Sequence, residues 1–245
     1  DARHSGSGDL IVAASTAEVT GGERGIYASN IGTGATSVSA NTVSGRDDDG
    51  LYVRGGSNTT DLSITVTGNV QSTLQDGIDA LHDGSGDLTI TASNAAGTSQ
   101  ITAGNRGIYA VNTGDGSTSI TANNITATNR DGVYALGGGS TPALTISVSG
   151  NVQSSGEDGI EARHVGTGDL TITAANTASD AQVTGNNRGI AVFNVRGGAT
   201  SITANNVSST NGQAIQAYNY ANAGDLSITV DGVVEAAAAA GIFAN

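Results

Sequence analysis

Seven ionisable residues share one local setting along this chain. Arg24, Asp49, Asp76, Arg106, Asp131, Asp158 and Arg188 each stand immediately before a glycine that opens a short apolar segment. The order Arg, Asp, Asp runs through twice and begins a third time. Two chemistries fit. Paired carboxylates, reinforced by the acidic run Arg46 to Gly50, could hold a cation, or each arginine could compensate neighbouring carboxylates along a solvated edge. A calcium ion takes about six to eight oxygen ligands, and no stretch here spells an EF-hand or a nonapeptide calcium repeat. The spacing therefore favours a charge ladder, in which an exposed pair contributes about 0.2–1 kcal/mol, and assigns no metal ligands and no cofactor.

Two further columns carry reactive residue types. Tyr27, Tyr52, Asp79, Tyr109, Tyr134 and Glu161 each follow the first apolar residue of the same segment, and alternation points them outward. Outward rings beside carboxylates suit contact with a glycan or a protein, and stacked tyrosines also stabilise a sheet, so both uses stay open. Three residues further on lie Asn30, His82, Asn112, His164 and Asn194, with Gly55, Gly137 and Asn219 at the same place. These read as turn residues that tolerate left-handed backbone. His82 and His164 stand three repeats apart, roughly 14 Å at strand spacing, too far to share a metal. Only His82 is followed by an aspartate, Asp83, whereas Val165 follows His164, so no repeated catalytic pair exists.

What positions these columns is a repeat. The apolar centres Val12, Val38, Ile64, Ile90, Ile120, Ile146, Ile172, Ile202 and Ile228 are spaced by 26 residues, or by 30 where an insertion lengthens a unit. The insertions fall within residues 91–105 and 173–187. The triplet Arg-Gly-Ile at Arg24, Arg106 and Arg188 adds a longer period of 82 residues, so three units make a super-repeat. In "LTITA", Leu88, Ile90 and Ala92 share one face and Thr89 and Thr91 the other, the pattern of a half-buried strand. Three short strands per unit, separated by glycine-rich turns and stacked on identical strands, describe an all-β, parallel β-solenoid of nine coils. Residues 1–245 form one such solenoid, about 43 Å long. The residues flanking each apolar centre are Ser or Thr from Ser37 and Ser39 through to Ser227 and Thr229; only Ile11 and Ala13 depart. This hydroxyl face could simply be a soluble sheet surface, or a lattice of the kind that contacts ice.

Composition narrows the partners. The chain has 245 residues and a formal charge of −13, with 22 acidic residues against nine basic ones, all arginine. That balance argues against nucleic acid and anionic membranes. There is no cysteine for a disulfide or thiolate site, and no apolar run of the roughly 20 residues that span a bilayer, so direct membrane insertion is not expected.

The repeated text, as in "GTGDLTITA", "VTG" and "RGIYA", resembles the passenger domains of bacterial autotransporter adhesins over the whole chain. The resemblance implies a right-handed β-helix displayed outside a Gram-negative cell, with a C-terminal barrel anchoring it. The expected function is that of a non-catalytic cell-surface adhesin or autoaggregation segment, acting through extended faces on another copy of itself, a glycan or a protein. An ice-contacting or passive spacer solenoid is the alternative. A polysaccharide-degrading enzyme is less expected: no acidic cluster breaks the repeat, and there is no Gly-x-Ser-x-Gly elbow or phosphate loop. "DARH" at Asp1 matches "DALH" at Asp79 and "EARH" at Glu161, so the text is expected to continue a longer array or to stack end to end.

Overall fold

The computed structural model describes residues 1–94, 96–175, 182–220 and 222–245, and among these it contains twenty-six strands and no helix. Much of the second insertion, at 176–181, lies outside the described residues.

Alternation of small polar and branched apolar residues makes every strand two-sided, and parallel stacking turns each side into columns. One sheet has ten strands, including Ile26–Asn30, Leu51–Gly55, Ile78–His82 and Ile108–Asn112. The other has sixteen. It unites the hydroxyl-bearing strands, such as Leu62–Val66 and Leu88–Ala92, with a third set, such as Val70–Ser72 and Gln100–Ala103. The union comes from Leu10–Gly21 and Thr36–Gly45, which run from one set to the other without a break. Apart from those fusions, each coil has three strands, and the whole is a parallel β-solenoid of about nine turns.

The register is the one the sequence period predicts. All nine apolar centres, Val12 to Ile228, lie opposite one another in a single column. Val38, Ile64, Ile90, Ile120, Ile146, Ile172 and Ile202 are essentially inaccessible. Two further columns complete the thin core: Val43, Val70, Ile101 and Ile125 from the third set, and Leu51, Ile78, Ile108 and Val133 from the ten-stranded sheet. Burying each isoleucine contributes about 1.5–3 kcal/mol, and no coil can do so without its neighbours.

Packing keeps the residue before each Ile, Leu or Val small: it is glycine from Gly25 to Gly189, and Ala214 before Ile215. A Cβ on Gly77 would lie 2.5 Å from Ile101 Cγ2 and 2.7 Å from the Gly107 carbonyl oxygen. Close approach of successive coils, rather than an unusual φ, fixes the residue type.

Candidate functional site

The turn column is built from inside the solenoid. Asn30, His82, Asn112, His164 and Asn194 are wholly buried and point into the solenoid. Asn30 Nδ2 donates to the Gly34 carbonyl at 3.1 Å while its Oδ1 accepts from Gly32 N at 2.9 Å. Asn112 repeats both bonds with Gly116 and Gly114, at 2.9 and 3.0 Å. His82 Nε2 lies 3.0 Å from the Gly86 carbonyl, again four residues on, so imidazole takes the place of the amide. The expected reason was left-handed backbone, and that is corrected: among the described residues only Gly97 and Gly198 have positive φ. The side chains staple their own turns from inside. Glycine at 55 and 137 follows from the histidines, since a Cβ at either site would meet the next coil's imidazole Nδ1, of His82 or His164, at 2.7 Å. Burial holds both imidazoles below their ordinary pKa and therefore neutral.

The aromatic column is laminated. Tyr27 stacks on Tyr52 at 5.2 Å between centroids, and Tyr109 on Tyr134 at 5.3 Å. Arg24 lies over both rings of the first pair, at 5.4 and 5.1 Å, and Arg106 over both of the second, at 4.7 and 5.5 Å. Arg3 is a further 5.0 Å neighbour of Tyr27. The rings are half-buried. Their faces pack on one another and on guanidinium groups, which leaves less ring face for a sugar than free tyrosines would offer.

The charged column departs most from expectation. Arg24 pairs with Asp48 at 2.5 Å and Asp49 at 3.5 Å. Arg106 sits between Asp76 at 4.0 Å and Asp131 at 3.4 Å, and Arg188 holds Asp158 at 2.7 Å. The ladder exists, but not on a solvated edge: Asp49 is 5% exposed and Asp131 and Asp158 are 1% exposed. Backbone amides of the following coil bind these carboxylates, Asp76 N to Asp49 Oδ1 at 3.2 Å and Asp158 N to Asp131 Oδ1 at 3.1 Å.

Two members of the outward column join them. Asp49, Asp76 and Asp79 bring carboxylate oxygens within 4.8 Å of one another, and Asp131, Asp158 and Glu161 do the same one super-repeat later. Glu161, expected on the surface, is buried and pairs with Arg163. By residue type either triad could take a cation. Burial, opposed in part by arginine and backbone amides, pushes Asp49 and Asp131 up to about 6 and Asp79 and Asp158 up to about 7; Asp76 is raised as well. Sequence reading paired these aspartates along the column but missed the triads. Asp49 stands two residues before inward Leu51, so its inward parity was the available signal.

The hydroxyl face keeps its pattern. Two columns, through Ser37, Ser63, Thr89 and Ser119, and through Ser39, Thr65, Thr91 and Thr121, run in unbroken register to Ser227 and Thr229. Ile11, 70% exposed, ends the pattern at the first coil.

Comparison of the chain with protein-family models, with curated proteins and with solved structures finds no match.

Proposed function

We propose that this solenoid is a non-catalytic contact segment of a bacterial cell-surface adhesin of the autotransporter kind, and that it acts by self-association through its hydroxyl face. One observation carries the reading: in a chain of charge −13, the sixteen flanking positions from Ser37 to Thr229 are all Ser or Thr. The two hydroxyl columns themselves bring no like charges together when two copies meet, the exposed aspartates Asp61, Asp87, Asp169 and Asp225 standing at the strand starts beside them. Each hydroxyl both donates and accepts, so the face complements itself. A second copy also brings the same coil spacing, which keeps matched columns in step along their length. Eight coils of five-residue strand offer about 650 Å² per copy by strand dimensions. A pair would bury about 1,300 Å², within the range of specific interfaces. Extracellular display on a Gram-negative cell rests on the repeat resemblance alone.

The test is display of the segment on non-aggregating cells. Wild type is expected to settle the cells, and Thr89→Glu with Thr171→Glu, which places carboxylates in the face, to leave them suspended. Equal settling by a folded double variant would refute contact through this face. The same in-register columns give the ice reading a specific footing, against which the mixture of Ser and Thr leaves the methyl lattice irregular. Absence of thermal hysteresis in the purified segment would dispose of it.

A further inference from the structure

We propose that the two carboxylate triads are proton-holding joints: each keeps a proton on its aspartates near neutral pH, and losing it loosens the first two super-repeats while leaving the third unchanged.

The geometry carries this. Each triad gathers three acidic side chains from two successive coils, Asp49 from one and Asp76 with Asp79 from the next, then Asp131 from one and Asp158 with Glu161 from the next. Like charges this close, with little water between them, do not all ionise together, and one sharing a proton with its neighbour is the usual resolution. The available cations fall short. Facing the two triads are Arg24, Arg106, Arg130, Arg163 and Arg188, against the six triad acids joined by Asp48 and Glu157. Arg106 is shared between both clusters. The tyrosines that face the clusters, Tyr52 and Tyr134, carry no charge near neutral pH; both are shifted further upward by burial. Asn105 Nδ2 donates to Asp76 Oδ1 at 2.7 Å, but Asp79 Oδ1 is a buried oxygen with no donor. A proton on a neighbouring carboxyl would supply that missing donor.

The molecule contains its own control. In the third super-repeat the three equivalent positions are Gln213, Ala240 and Phe243, which hold no carboxylate, yet the strands there keep the same register.

The sign follows from the raised carboxyl pKa values. Between the ordinary aspartate value of 3.8 and about 7 the folded chain binds more protons than the unfolded one. The stabilisation is complete below that window, falls progressively across it, and the last of it is lost as pH rises through 6 to 7. His82 and His164, lowered from 6.5 and faced by Asp61, Asp83 and Asp169, act oppositely and lose stability as pH falls below 6.5.

Hydrogen exchange followed by mass spectrometry, corrected for intrinsic rate, reads each region separately, because solenoid coils open locally. From pH 6 to 8, protection in residues 49–82 and 131–164 is expected to fall about tenfold or more, one pKa unit being a factor of ten. Protection in residues 206–219, which pair with neither triad's coils, should stay level. In Asp79→Asn with Asp158→Asn, where amides supply donors without charge, the fall should vanish. Uniform loss in all three regions, or none, overturns the proposal. So does a selective rise of wild-type protection at pH 8 on adding 1 mM calcium that the double variant lacks, since the triads would then be cation sites.

Discussion

The first two super-repeats and the third share a core and differ in what surrounds it. Ile108, Ile190 and Ile215 are equally inaccessible, and the strand register continues past all of them. The columns beside them change. Arg24, Asp49 and Asp76 are followed by Arg106, Asp131 and Asp158, but then by Arg188, Gln213 and Ala240. The aromatic stack shifts as well, because Ala191 replaces the first tyrosine and Phe193 packs on Tyr218 in the neighbouring column at 5.6 Å. Arg163 and Arg188 follow the ring, lying 4.8 and 5.7 Å from Phe193. A coil therefore needs its apolar columns and a small spacing residue, glycine in most coils and Ala214 in one, while buried carboxylates and tyrosine pairs are additions that the architecture carries in some coils and omits in others.

The comparison breaks first at the core. Ile146→Ala should cost about 2–5 kcal/mol in urea unfolding, and equally at pH 6 and pH 8, because that column belongs to every coil. Arg106→Gln sharpens the contrast. Among the described residues it removes the only side chain paired with both triads, and should destabilise by about 3 kcal/mol at pH 8 and clearly less at pH 5, below the value of about 6 to which Asp131 is raised. Equal losses at the two pH values would show that Arg106 acts only through packing on Tyr109 and Tyr134. Replacing Tyr27, Tyr52, Tyr109 and Tyr134 by Ser should cost about 0.5–1.5 kcal/mol for each lost stack, read as a lowered urea midpoint. His82→Asn should have the smallest effect. Asn already makes the same turn bond at positions 30 and 112, so stability near pH 7.5 should hold while the loss below pH 6.5 shrinks.

The sequence made the scaffold legible because the fold is written in periods. The spacing of Val12 to Ile228 predicted each partner in the apolar column, and the alternation in "LTITA" predicted which residues face outward. The same parity also marks Asn30 and Asp49 as inward, since they stand an even number of residues from Ile26 and Leu51. Residue type pulled the other way: asparagine and aspartate in a glycine-rich stretch read as solvated turn. Their burial depends on amides and carbonyls from their own turn and the next coil, which no single repeat displays. The triads were less legible still. Asp79 lies on the outward parity and reaches Asp49 and Asp76 only across a corner of the coil, a distance that alternation does not encode.

The central claim, that copies of this segment meet through a neutral hydroxyl face, is tested most directly by sedimentation velocity over a concentration series at fixed pH and salt. The wild-type segment is expected to shift from about 24 kDa toward twice that mass as concentration rises, and the folded Thr89→Glu, Thr171→Glu variant to remain monomeric throughout. A wild-type segment that stays monomeric at every concentration, or a variant that associates as strongly as wild type, would contradict the account.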